Sequence, residues 1–438
     1  MQPLLAVSTL LLAVLVPAVQ PAAAVVAMCD GRAVTITGQP GGVVQGTAGD
    51  DVVATGGATS VDASGGDDRV CVTGPSVEHV TILTGEGADR VHVQVAAPST
   101  RVVADLGAGP DVFVSGATAD YVDASGAAMD EDVDRIRTGG NDDVVEVGDA
   151  GADVADVVDL GAGADALNVR GQPDTGHVFR GGQGRDELRP GTTPGLGRLV
   201  VDNVRQEGRL GGSVVQSWSG FELFQLTSDP GQSVVFVGGP ADEMVRADPF
   251  VSGPLVRALM GAGDDVLVAT ERRYLPEQAA PQEAPYDGGP GRDRIVVGVA
   301  QDDLALDERL LVDLLRGTVV ATNGGVDDVA GIRRFEDARA YGEAVTIRGQ
   351  HAANTLEAYG CTVTVAGRGG DDTMAQPERF ENHNGCRRGM SMRGGPGADL
   401  MVGRKGADQL LGGPGHDRAV GNGGADNCRA EVRDGCER

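Results

Sequence analysis

Four nonapeptides run without a break near the C-terminus, and this period constrains the fold more than any other feature. They are Gly394-Gly-Pro-Gly-Ala-Asp399-Leu-Met-Val402, Gly403-Arg-Lys-Gly-Ala-Asp408-Gln-Leu-Leu411, Gly412-Gly-Pro-Gly-His-Asp417-Arg-Ala-Val420 and Gly421-Asn-Gly-Gly-Ala-Asp426-Asn-Cys-Arg429. Glycine holds positions one and four, aspartate position six and an apolar residue position eight. A fixed short period of this kind is the mark of a stacked repeat architecture.

The same unit recurs at wider intervals upstream. Asp51, Asp68, Asp89, Asp111, Asp134, Asp143, Asp153, Asp165, Asp186, Asp265, Asp293 and Asp372 each follow a glycine-rich turn. Two residues after each stand Val53, Val70, Val91, Phe113, Ile136, Val145, Ala155, Leu167, Leu188, Leu267, Ile295 and Met374. The pattern is therefore a turn followed by a strand residue that points inward. Steps of 17, 21 and 22 residues separate Asp51, Asp68, Asp89 and Asp111, whereas Asp134, Asp143 and Asp153 are 9 and 10 apart. A nine-residue step is half a coil and a step of roughly 20 residues a whole one. The spacing predicts acidic turns on one edge in the N-terminal part and on both edges in the C-terminal block.

Composition agrees. The chain holds 69 glycines and only 3% aromatic residues, so its apolar content is mainly Val, Leu, Ala and Ile, suited to short stacked strands. A formal charge of −28 excludes nucleic acid as a natural partner, because phosphate is bound by basic patches. The same charge requires cations, since crowded carboxylates repel one another.

Each position of the turn has a chemical reason. Glycine permits positive φ and a close approach of carbonyl groups. Carbonyls and aspartate carboxylates are the hard oxygen donors that Ca2+ takes, about six to eight at a time. One turn cannot supply that many, but two turns stacked about 4.8 Å apart can share an ion. On this reasoning Asp399 pairs with Asp417 on one edge, and Asp408 with Asp426 on the other.

The pattern G-G-x-G-x-D-x-U-x, met strictly at Gly181–Asp186, Gly288–Asp293, Gly394–Asp399 and Gly412–Asp417, resembles the RTX, or haemolysin-type, calcium-binding repeat. The resemblance implies a parallel β-roll with calcium in its glycine-aspartate turns. It carries the ligand role most directly to Asp399, Asp408, Asp417 and Asp426, with Gly394, Gly397, Gly403, Gly406, Gly412 and Gly415 shaping the turns. Asp293, Asp186, Asp372, Asp265, Asp165, Asp143, Asp111, Asp89, Asp68 and Asp51 are the further candidates. An N-terminal export signal and the lack of a toxin or protease domain set the chain apart from RTX toxins. It looks more like a secreted, repeat-only bacterial calcium-binding protein.

The expected fold is all-β, a right-handed parallel β-solenoid (β-roll or β-helix) with coils of roughly 20 residues. Residues 1–24 read as a signal peptide, from the apolar run Leu4–Val16 and the small residues Ala22 to Ala24. No later segment is apolar enough to span a membrane. Residues 25–186 form the N-terminal solenoid. Residues 187–366 form degenerate, metal-free coils with an exposed loop near 274–285, and Asn354 replaces the turn aspartate there. Residues 367–438 form the nonapeptide block.

The six cysteines suit an exported protein, with Cys29–Cys71, Cys361–Cys386 and Cys428–Cys436 as the favoured pairs. The scattered histidines, His79, His92 and His177 among them, have no spacing partners and read as structural. Trp218, Phe221 and Phe224 read as a core cluster. No nucleophile or metalloprotease motif appears, so the chain is expected not to be an enzyme. A calcium-stiffened surface or matrix adhesin, and a β-helix polysaccharide lyase or epimerase, are the alternatives.

Overall fold

The computed structural model describes residues 27–94, 99–126, 132–148, 155–171, 176–191, 197–227, 232–248, 256–271, 282–299, 309–323, 326–377 and 389–437. They contain strands and turns and no helix. The expected signal peptide, Asp153 and Cys386 lie outside them.

Successive strands alternate between two long parallel sheets. In the first, Arg69–Val72 is followed one pass later by Arg90–Val93 and then by Val112–Val114. In the second, His79–Leu83 is followed by Arg101–Asp105 and Ala119–Ala124. Alternate residues of each strand point inward, which the period of two requires. The position-eight residues consequently stack into rows. One row runs Ala104, Val122, Val145, Leu167, Leu188, Phe224, Val245 and Leu267, each in register with the next. It continues through Ile295, Ala338, Leu356, Met374, Met401 and Ala419. The facing row begins Val53, Val70, Val91, Phe113, Ile136, Val158 and Phe179. These side chains are buried. Each large one contributes about 1.5–3 kcal/mol, so the fold is held by an aliphatic column, one layer per strand.

The first sheet is interrupted twice by a three-stranded antiparallel meander. The first comprises Gly197–Asp202, Glu207–Leu210 and Ser213–Ser219, and the second Arg309–Asp313, Thr318–Asn323 and Val326–Arg333. The two are built alike. Each follows a Gly-Gly-x-Gly-Arg-Asp turn, at 181–186 and 288–293, and each is followed by Phe-Glu, at 221–222 and 335–336. In each, an Asp-x-x-Arg turn closes when the arginine N–H donates to the aspartate Oδ1 at 3.0 Å, in Asp202–Arg205 and in Asp313–Arg316. The regions expected to be plain degenerate coils thus contain a duplicated insertion. Antiparallel pairing of this kind has no nine-residue period, so the repeat fades there.

Other details follow from packing. Trp218, Phe221 and Phe224 are buried as expected, and Trp218 Nε1 donates to Asn203 Oδ1 at 2.9 Å. Disulfides join Cys29 to Cys71 and Cys428 to Cys436, and Cys361 is also disulfide-bonded. The loop expected at 274–285 falls mostly outside the described residues. Its last part is corrected: Gln282–Asp287 is a strand of the first sheet.

Candidate metal-binding turns

The strict turns show why the repeat spends its glycines. At position one, a Cβ on Gly288 would stand 2.7 Å from Asp293 Oδ2, and one on Gly181 would stand 2.8 Å from Asp186 Oδ2. A Cβ on Gly394 or Gly412 would collide with Oδ2 of Asp399 or Asp417. The carboxylate therefore folds back over its own position-one glycine. Positions two and four are left-handed, with φ of +117° and +150° at Gly395 and Gly397, and +128° and +154° at Gly413 and Gly415. A side chain on Gly413 or Gly415 would strike the carbonyl oxygens of Gly395 and Gly397 one coil below. Turns thus stack backbone on backbone, with carbonyl oxygens and carboxylates brought to one edge.

Two ladders of position-six carboxylates result. On the edge preceding the first sheet, the backbone N–H of Asp51 donates to Asp68 Oδ1 at 2.7 Å. Asp68, Asp89, Asp111 and Asp134 repeat this toward Asp89, Asp111, Asp134 and Asp156 at 2.8 to 3.0 Å. On the edge preceding the second sheet the ladder runs Asp120, Asp143, Asp165, Asp186, and then Glu243, Asp265, Asp293. Higher up it runs Asn354, Asp372, Asp399, Asp417. Asp408 and Asp426 return to the first edge at 2.8 Å. The stacking of Asp399 with Asp417 and of Asp408 with Asp426 is as expected from the period.

The edges themselves need correction. The once-per-coil aspartates do not stay on one side: Asp51 to Asp111 line one edge, while Asp165, Asp186, Asp265, Asp293 and Asp372 line the other. Asp156 holds the ladder position after Asp134, with Val158 in the core row where Ala155 was expected.

A ladder bond uses only one carboxylate oxygen. In Asp68, Asp165, Asp186, Asp293, Asp372, Asp399, Asp417 and Asp426 the other oxygen, Oδ2, is buried with no hydrogen-bond partner among the described residues. Leaving such an oxygen unmet is costly, and the cost falls on the charged form. Burial accordingly pushes Asp68, Asp165 and Asp293 up to about 6, Asp265 and Asp372 to about 7, and Asp143 to about 8. Asp399 is raised for the same reason, burial first and then the Asp417 charge. A cation at Oδ2 would relieve both the desolvation and the repulsion.

Not every turn presents this demand. Where the position-two N–H bends inward it donates to the oxygen of the sixth side chain that the ladder leaves open. Thr47 donates to Asp51 Oδ2 at 2.7 Å, Gln350 to Asn354 Oδ1 at 2.8 Å, and Arg404 to Asp408 Oδ2 at 2.8 Å. In open turns that N–H points up the stack: Gly395 N–H donates to the Gly412 carbonyl at 2.8 Å. Asp408 therefore differs from Asp399, Asp417 and Asp426, although the four look equivalent in sequence.

Several ladder positions were not apparent from the sequence. Glu222 and Glu336 accept the N–H of Asp186 and Asp293 through Oε2 at 3.1 and 2.9 Å. Glu243 takes position six after Gly238-Gly239, a signal present but written with the longer acid. Asp120 lacks the position-one glycine. His177 ends the first ladder, its Nδ1 accepting the Asp156 N–H at 3.1 Å, and burial lowers it to about 4 so that it stays neutral. A further ladder lies outside. Position-five carboxylates of Asp50, Asp67, Asp142, Asp264 and Asp371 accept an N–H from the turn above at 2.8 to 3.0 Å. This explains the paired aspartates structurally.

Among the described residues, one group brings three possible side-chain metal ligands together: Asp30, Cys71 and His92. It makes a poor metal centre, because the Cys71 sulfur is bonded to Cys29 and Asp30 is held by Arg90 and His92 at 2.5 and 2.7 Å. No described helix is long and apolar enough to cross a membrane.

Against known proteins, residues 393–428 match the family model of the RTX calcium-binding nonapeptide repeat in four copies. A comparison with curated proteins finds no match.

Proposed function

We propose that the chain is an exported, non-enzymatic calcium-binding protein, wound as a right-handed solenoid whose open glycine-aspartate turns take Ca2+. The observation that carries this reading is the row of buried carboxylate oxygens without partners, aligned with stacked turn carbonyls. Asp399, Asp417 and Asp426 would hold the ion in the terminal block, and Asp372, Asp293, Asp186, Asp165 and Asp68 are the corresponding groups upstream. The ion supplies positive charge to paired carboxylates, and the turns supply the oxygens. Asp51, Asp408 and Asn354 sit in turns that satisfy themselves and are the weaker candidates. Export is supported by the disulfides and by the apolar N-terminal run.

Calcium bound to the folded state stabilises it by linkage. Calorimetric titration of the full chain with a circular dichroism readout should show saturable calcium uptake and a rise in melting temperature. In Asp417→Ala the uptake should fall and the last coils should lose their response, while the N-terminal response stays. Unchanged melting on calcium addition would overturn the reading.

A further inference from the structure

Position two is glycine or asparagine in three of the terminal turns, at Gly395, Gly413 and Asn422, but arginine at Arg368 and Arg404. These two residues open the two terminal stacks, one on each edge: Arg368 below Asp372, Asp399 and Asp417, and Arg404 below Asp408 and Asp426. Both side chains run backward, away from the stack they begin. Arg368 Nη1 donates to the Gly349 carbonyl at 2.7 Å and to Asp313 Oδ1 at 2.8 Å, while Nη2 donates to Asp313 Oδ2 at 3.0 Å. Arg404 Nη1 and Nη2 donate to the carbonyls of Gly360 and Cys361 at 2.7 and 3.1 Å. Each reaches the turn two coils below its own, since strands 309–313, 344–348 and 362–366 are successive neighbours, as are 362–366, 390–393 and 409–411.

We propose that Arg368 and Arg404 are built-in cations that plug the starts of the two terminal stacks, so that the junction coils directly beneath them, between residues 309 and 366, hold together without metal. Carbonyl and carboxylate oxygens converge at these points as they do for a hard cation. A guanidinium meets them with a planar fork of N–H donors and cannot dissociate. The turn above Asp313 is neutral, because Asn354 Oδ1 accepts from Gln350 N–H and its Nδ2 donates to the Glu336 carbonyl at 2.5 Å. Burial works against ionisation of Asp313, yet the hydrogen bonds from Arg368 hold its carboxyl below the usual range. The Arg368 side chain is 23% exposed and Asp313 fully buried, so the pair is shielded from screening by salt. The junction coils then serve as a finished edge on which the calcium-dependent block winds.

This inference rests on the calcium reading for the block above but not for the coils below. Hydrogen exchange of the full chain tests it, in calcium and in chelator. In the wild type, strands Arg309–Asp313 and Ala344–Arg348 should keep their protection in chelator, whereas Leu400–Val402 and Arg418–Val420 should lose it. In Arg368→Gln, amides of the two junction strands should exchange roughly tenfold faster or more, with or without calcium. Asp313→Asn should reproduce the effect from the other partner, and Arg404→Gln should act instead on Thr362–Ala366. The proposal is overturned if chelation alone frees the junction strands, or if Arg368→Gln and Asp313→Asn leave them unchanged. If no strand responds to chelation, the calcium reading falls, and the arginine variants still decide this one.

Discussion

The junction coils from 309 to 366 and the terminal block from 367 to 437 use the same turn and settle it by different chemistry. In the junction, Asn354 fills both ends of its amide within the protein, and Arg368 and Arg348 surround Asp313. In the block, Asp372, Asp399 and Asp417 occupy the equivalent ladder positions with one oxygen each left unmet. The backbone at position two separates the two kinds of turn: φ is positive at Arg368 and Gly395, whose N–H groups point up the stack, whereas the Gln350 N–H turns in to Asn354. Where that N–H reaches the sixth side chain, as at Asn354, Asp51 and Asp408, the protein supplies the donor; where it does not, as at Asp372, Asp399 and Asp417, one carboxylate oxygen is left for a cation.

The largest effects should come from the core and should divide by region. Leu356→Ala, in the junction, should cost about 2–5 kcal/mol in denaturant unfolding whether or not calcium is present. Met401→Ala, in the block, should cost a similar amount only in calcium, because without it the block is already loosened. Equal losses for both variants in chelator would erase the distinction.

A smaller effect of opposite sign in the two regions should follow from exchanging the sixth residues. Asp417→Asn should weaken the protein in calcium but stabilise it by about 1 kcal/mol in chelator, since it removes a buried charge. Asn354→Asp should destabilise the junction by a similar amount in chelator, and calcium should offset the loss only where a site forms. Melting curves of the two variants in both buffers check this pair.

A third effect is the dependence on pH. Asp143, Asp265 and Asp372 have folded values pushed to about 8, 7 and 7 from an ordinary 3.8. The folded state then holds protons that the unfolded state has released. Stability from these groups is full below the ordinary value and is lost as pH rises through the folded values. In chelator the melting temperature should fall by several degrees between about pH 5 and pH 8, by order-of-magnitude linkage. Calcium should flatten that slope.

The architecture was legible because it is periodic. The sixth and eighth positions located the turns and the core row wherever glycine preceded aspartate, as at Gly288–Asp293 and Gly394–Val402. It was hidden where a different residue takes the place of the turn aspartate or its glycine. Glu243 and Glu336 do so with longer acids, His177 with a ring nitrogen, and Asp120 without a position-one glycine. The meanders at 197–219 and 309–333 were illegible for another reason, since antiparallel pairing between consecutive strands leaves no nine-residue period. Nor could the sequence distinguish Asp408 from Asp417. That difference lies in the direction of one backbone N–H, at Arg404 rather than at glycine.

If the unmet carboxylate oxygens are the calcium sites, adding calcium must release protons. Carboxyls held partly protonated by burial must give up those protons when the ion arrives. Calcium added to the metal-free full chain near pH 6 should release protons, fewer should be released near pH 9, and Asp372→Asn should release fewer than the wild type at the lower pH. Saturable calcium binding with no proton release at pH 6 would place the ion elsewhere than at these oxygens.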